Sequence, residues 1–171
     1  MMSQKGWENL DWWFKPLWKL KGPAKSRLFF WCVLLQKVPT WDFLQKRGRI
    51  CVGWCPLCKD SVESSQHLFL FCPFNTSLWA EMLRLLKIPF RWEGRGLLEA
   101  WQKWWNEATN NRERSIHLLV TWGTWIARNQ VIFKDSVFLI GRLAAEGAAI
   151  YESIPVPLDR PATKAVSQEF I

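Results

Sequence analysis

Apolar positions along this chain recur at helical spacing, and prolines and glycines cut the recurrence into short segments. Trp12, Trp13, Phe14, Leu17, Trp18 and Leu20 stand between lysines and read as a short helical or irregular aromatic segment ending near Gly22-Pro23. Pro23 suits the first position of the next helix. There Leu28, Phe29, Trp31, Cys32 and Leu35 form a broad apolar face until Val38-Pro39 stops it. Thr40 is placed to cap a short helix with Phe43 and Leu44 inward and Lys46 and Arg47 outward, and Gly48 ends it. Ser64 is a cap for the run His67, Leu68, Phe69, Leu70, Phe71.

Asn75 or Thr76 opens the next helix, whose stripe is Leu78, Trp79, Met82, Leu83 and Leu86 and whose end is Ile88-Pro89. Pro89, Gly94 and Gly96 mark a loop over 89–96. Leu98, Trp101, Trp104 and Trp105 then fall at helical spacing over 97–108. Asn110 with Glu113 three residues on forms a capping box. The helix it starts passes through Ile116, Leu119, Val120, Gly123, Ile126, Ala127 and Val131 towards Phe133. Asp135 or Ser136 caps an alanine-rich last helix towards Ile154, and Pro155, Pro157 and Pro161 break it. No alternating strand pattern stands out. The expected fold is mainly α, a small helical domain with little or no sheet. It divides into a module over 12–88, a helical extension over 97–154 packing on it, and a flexible tail over 155–171.

Composition sharpens this picture in two ways. Fourteen tryptophans in 171 residues supply large rings for a Trp-rich core, and any left exposed are platforms on which nucleobases stack. No run approaches 18 apolar residues, so no membrane span is expected. The first residues carry acids and lack a continuous apolar stretch, unlike a secretory signal. With five cysteines, an odd number, and no such signal, the expected setting is a reducing compartment inside the cell.

Charge is unevenly spread. Residues 1–59 hold eleven basic and three acidic side chains, the whole net charge of +8, whereas the remainder is neutral. A basic N-terminal half points to a polyanionic partner, with a solubilising face as the plainer alternative. The candidate phosphate contacts are Lys19, Lys21, Lys25, Arg27, Lys46, Arg47 and Arg49, with Trp54 as a base-stacking ring.

The chemistry-bearing stretch is Cys55-Pro56-Leu57-Cys58, followed by His67 and Cys72. It offers four soft or borderline donors, the number a closed tetrahedral zinc site takes. Two residues between Cys55 and Cys58 allow one tight turn, which Pro56 fits, to aim both sulfurs at one ion. Other readings are a disulfide pair, a thioredoxin-like C-x-x-C, or buried idle thiols; the second needs a βαβ unit that the pattern does not predict. Cys51 reads as a spare thiol, Cys32 as a core cysteine and His117 as a structural histidine. Four protein ligands leave no place for a reacting water, so one structural ion is expected. The aspartates are scattered, without the clustered carboxylates of two-metal chemistry, and no Walker A, G-x-G-x-x-G or G-x-S-x-G run occurs. The chain reads as non-enzymatic.

Lys15-Pro16-Leu17-Trp18-Lys19, Gly22-Pro23-Ala24-Lys25, Phe30-Trp31, Val38-Pro39-Thr40, Leu44 and Arg47-Gly48 precede the cysteine turn. Glu63-Ser64, His67-Leu68-Phe69, Cys72 and Trp79 follow it. In this order and spacing, over about residues 12–80, the chain resembles the zinc-binding region of plant LINE-type, non-LTR retrotransposon reverse transcriptases. Downstream, Trp122-Gly123-Thr124-Trp125-Ile126-Ala127-Arg128-Asn129 and Ile132-Phe133 look like the tryptophan and Arg-Asn segment that follows in these proteins. The resemblance implies a zinc module C-terminal to a polymerase, often followed by a ribonuclease H-like domain, with Cys55, Cys58, His67 and Cys72 as ligands. Neither the polymerase nor the ribonuclease H portion is expected here. The expected role is a non-catalytic zinc module that binds RNA or DNA. The alternatives are an adaptor that docks a reverse transcriptase or another protein through a Trp-rich surface, and a remnant of a degraded element.

Overall fold

Eight α-helices and one π-helical turn make up residues 11–155, the part of the chain that the computed structural model describes, with side chains from Phe14 onward. The expected tail lies, save for Pro155, outside the described residues, as do the side chains of Trp12 and Trp13. The helices are α1 (Asp11–Lys19), α2 (Ala24–Leu34) and α3 (Trp41–Gln45), then the π-turn (His67–Phe71) and α4 (Pro73–Leu86). They continue with α5 (Leu97–Glu107), α6 (Asn111–Arg114), α7 (Ile116–Lys134) and α8 (Ile140–Ser153). No strand forms among the described residues; one isolated antiparallel bridge joins Trp54 to Val62. The mainly helical expectation holds.

The departures from the expected boundaries have local causes. Thr40 does stand before α3, but its hydroxyl turns to the Asp42 carboxylate at 2.6 Å. The helix's first amide, that of Trp41, donates instead to Glu63 Oε2 at 2.7 Å. The helix α4 starts at Pro73, ahead of Asn75, because a proline's missing amide costs nothing at a first helical position. The capping box is formed, with Glu113 N–H on Asn110 Oδ1 at 2.9 Å and Thr109 N–H on the Glu113 carboxylate at 2.8 Å. The helix it starts breaks at Ser115, whose hydroxyl donates to the Arg112 carbonyl at 2.7 Å. Asp135 does not cap α8. It takes a left-handed conformation (φ 47°) that ends α7, and α8 begins only at Ile140.

One hydrophobic core draws on the whole described chain. It runs from Leu17 and Phe30 through Leu68 and Phe69 to Met82, Trp101, Trp104, Ile116 and Leu118, and reaches Ala144 and Ala148. The small residues of α8 let it lie against α4. A methyl group added at Gly147 would come within 3.1 Å of Met82 Cε. Trp79, Trp92, Trp101 and Trp104 are buried, Trp79 and Trp92 stacking at 5.2 Å between ring centroids. Trp18 and Trp54 stay exposed. His117 is enclosed by Phe30 and Trp101, with its Nδ1 on the Arg114 carbonyl. A carbonyl only accepts, so Nδ1 carries the proton, and burial pushes the ring's pKa down to about 3. Its role is structural, as the sequence suggests. No helix among the described residues is long and apolar enough to cross a membrane.

Candidate metal centre

Two short devices deliver the four donors. The first is a hairpin-like turn over 53–63. Gly53 opens it with φ +82°, a conformation that side chains resist. Glu63 N–H donates to the Gly53 carbonyl and Cys55 N–H to the Ser61 carbonyl, both at 2.8 Å. Lys59 N–H closes the inner turn on the Cys55 carbonyl at 2.8 Å. Cys55 and Cys58 sit in that turn, and the backbone amides of Leu57 and Cys58 point at the Cys55 sulfur.

The second device is the π-turn. Ser64 Oγ accepts the His67 amide at 3.0 Å and starts the helical winding. The Cys72 amide then bonds the His67 carbonyl at 2.6 Å, five residues back. In an α-helix a residue five positions on is rotated by roughly 140°. The wider π-turn brings it back over its partner, and π-turns of this kind occur frequently at functional sites. Cys72 is also the N-cap residue of α4, and its sulfur receives the amides of Phe74 and Asn75. A negative sulfur is favoured at that helix end.

These devices bring Cys55 Sγ, Cys58 Sγ, Cys72 Sγ and a His67 ring nitrogen within 4.8 Å of one another. Cys55 and Cys72 sulfurs are 3.8 Å apart, and His67 Nε2 lies 3.3 Å from Cys58 Sγ. A tetrahedron with 2.3 Å zinc–sulfur arms has edges of about 3.8 Å, so the donor set fits zinc. The sulfur separation is far beyond a disulfide bond, and all five cysteines are free.

The protonation states fit as well. Cys55 donates to Cys72, which raises the Cys55 pKa far above the ordinary thiol range, and burial adds to it. The same bond lowers the Cys72 pKa, with the helix amides assisting. A divalent ion relieves this shared-proton arrangement by accepting both sulfurs as thiolates. Burial lowers the His67 pKa, favouring the neutral imidazole that ligates metals.

Residues 1–79 match a family model described as zinc-binding in reverse transcriptase, and all four donors fall within the match. This part of the chain is similar to that family. A protein of Arabidopsis thaliana named for ribonuclease H is 31% identical over 75 residues, which is 44% of this chain and 12% of that protein. The chain thus spans a small part of that relative's length. No solved structure matches. The matched unit is a zinc-binding domain and not a catalytic one.

Around this candidate zinc centre the candidate nucleic-acid contacts divide. Lys19, Lys21 and Lys25 are exposed where α1 passes into α2. Arg27 is half-buried, and its Nη1 donates to the Leu20 carbonyl at 2.6 Å, tying α2 back to the end of α1. Lys46 pairs with Asp42 at 3.4 Å, Arg47 lies 4.4 Å over the Phe43 ring, and Arg49 is exposed. Trp54 is 53% exposed beside the two cysteines and faces outward with Val62. Cys51 stays apart from the ligands, its sulfur 3.5 Å from the Trp41 carbonyl.

Sequence reasoning missed Glu63 and Arg128. Glu63 is fully buried between the two ligand-bearing devices. Arg128 of α7, itself 3% exposed, grips both its oxygens at 2.8 Å, and the guanidinium lies between the rings of Trp41 and Trp125. The available signal was an arginine on an otherwise apolar stretch of a long helix. Such a residue is buried only when it is paired.

Proposed function

We propose that this chain is a non-enzymatic, zinc-folded module that binds nucleic acid. The observation that carries this reading is the outer face of the cysteine turn. From Ile50 to Cys55 exposure alternates: Ile50, Val52 and Trp54 point to solvent, while Gly53 and Cys55 are buried. The exposed cations Lys46, Arg47 and Arg49 lie immediately before this row. Cations that neutralise phosphates beside a ring that accepts a base are the elements of single-strand recognition. Zinc holds the turn in shape, and its four protein ligands leave no position for catalysis.

The test is fluorescence anisotropy of labelled single-stranded RNA and DNA with the zinc-loaded protein across a salt series. Affinity falls with salt, with a log–log slope near −0.7 for each neutralised phosphate. Reversing the charge of Arg47 and Arg49 together removes most of the binding. An affinity that ignores salt overturns the reading.

A second reading, an adaptor for a polymerase or another protein, is favoured by exposed Phe133, Val137 and Leu139 around the end of α7. Under it, charge reversal at Arg47 and Arg49 leaves partner binding intact.

A further inference from the structure

The family match ends at residue 79, yet two buried supports of the metal site come from α7, beyond residue 115. Two residues of α7, four apart and therefore on one face of the helix, reach the two ligand-bearing devices separately. Arg128 holds Glu63, whose backbone closes the cysteine turn against Gly53 and whose next residue, Ser64, starts the turn carrying His67. Thr124 donates its hydroxyl to Asn75 Oδ1 at 2.9 Å, and the Asn75 amide in turn points at the Cys72 sulfur. All four of these side chains are buried.

We propose that Thr124 and Arg128 are positioning residues for zinc: one face of α7 is the outer shell that sets how tightly Cys55, Cys58, His67 and Cys72 hold the ion. The physical ground is that ligands must be held at fixed separations to keep a tetrahedral ion. Neither device is anchored by its own hydrogen bonds alone. The cysteine turn is a small hairpin on the surface, and the π-turn is a single winding. Glu63 joins them, and its carboxylate is satisfied only through α7 and the Trp41 amide. If Arg128 is lost, that buried carboxylate is left short of partners and moves towards water, carrying the junction between the ligand pairs with it. If Thr124 is lost, Asn75 keeps no side-chain partner, since its Nδ2 already has none, and the first turn of α4 beside Cys72 loosens.

The experiment uses the zinc-loaded full chain, mixed with excess chelating dye to follow the rate of zinc release, alongside urea denaturation of each variant. Arg128→Gln is expected to release zinc about 10-fold faster, the low end of the range seen when a ligand's own hydrogen-bond partner is removed, because Arg128 acts one residue further out through Glu63. Thr124→Val, of nearly the same shape, is expected to accelerate release by a smaller factor. Leu118→Ala, a core cavity elsewhere on the same helix, is the control for lost stability. It is expected to lower the urea midpoint and leave release at the wild-type rate. Equal acceleration in Leu118→Ala and Arg128→Gln at matched urea stability, or unchanged release in Arg128→Gln, overturns the proposal. Should Arg128→Gln fail to fold, Thr124→Val decides: faster release than Leu118→Ala supports it, and an unchanged rate overturns it.

Discussion

The Cys72 amide bonds the His67 carbonyl at 2.6 Å, so one metal donor caps the helical turn that presents another. Cys72 therefore has two separable duties: its sulfur is a zinc donor, and its position is the N-cap of α4. Cys72→Ser and Cys72→Ala should both lose zinc. Serine is a good cap and alanine a poor one, so the metal-free serine variant should retain about 1 kcal/mol more helix stability than the alanine variant. Metal content by mass spectrometry with thermal melts by circular dichroism reads both effects. Zinc retained at full occupancy by Cys72→Ser would remove Cys72 from the ligand set.

Chelation of the wild-type protein should unfold much of the helical signal. The four donors converge only in the folded chain, so the ion's binding energy, ~10–16 kcal/mol in small zinc peptides, is also folding energy. The expected result is one zinc per chain and a far-ultraviolet spectrum that collapses with excess chelator and returns with added zinc. An unchanged spectrum would mean that the aromatic core stands without metal.

His117 gives the fold a dependence on acid that is independent of the metal. Burial holds its pKa near 3, whereas an unfolded histidine titrates near 6.5. As the pH falls below 6.5, the unfolded chain binds a proton that the folded chain refuses. The stability present above pH 6.5 is then lost at up to about 1.4 kcal/mol per pH unit towards pH 3. His117→Gln keeps a donor for the Arg114 carbonyl and removes the titration. Urea midpoints of the two proteins between pH 5 and 7 should diverge in slope by this amount; parallel curves would show that His117 is solvated.

A fragment ending at residue 79 should not fold, with or without zinc. It would stop in the middle of α4 and strip Phe30 of Trp92 and Trp101 and Phe29 of Trp125. Glu63 would be left without Arg128, and breaking a buried pair in this way costs roughly 3–5 kcal/mol. Dispersed amide resonances and a cooperative melt from the fragment would contradict this.

Trp54→Ala should leave stability within about 1 kcal/mol, since its one cross-strand neighbour is the exposed Val62. It should nonetheless weaken single-strand binding by about 1–3 kcal/mol if the ring accepts a base. Anisotropy titrations beside thermal melts separate the two.

Much of this was legible in the residues. The spacing of Cys55, Cys58, His67 and Cys72 announces a tetrahedral site, and the Asn110–Glu113 box and the stripe from Leu78 to Leu86 mark real helices. These signals are local, carried by neighbours in the chain. What stayed hidden is non-local. Thr40 looks like a capping hydroxyl until a carboxylate 22 residues away takes the amide of Trp41. Asp135 looks like a helix start until its left-handed backbone makes it a helix end. Glu63 and Arg128 are 65 residues apart, and nothing in their immediate surroundings announces that they meet. The π-turn is hidden for another reason, because an apolar run such as His67–Phe71 suits either winding.

The outward row of Ile50, Val52 and Trp54 carries a consequence for behaviour in solution. Uncovered aliphatic and aromatic side chains close together on one surface invite a second molecule to lie alongside. The exposed cations Lys46, Arg47, Arg49 and Lys59 flank that stretch along the chain, and two copies approaching through it meet like charge. At low ionic strength this repulsion keeps the molecules apart. Concentrated salt screens it, so the conditions that strip a bound polyanion from this face are also those under which the protein begins to self-associate.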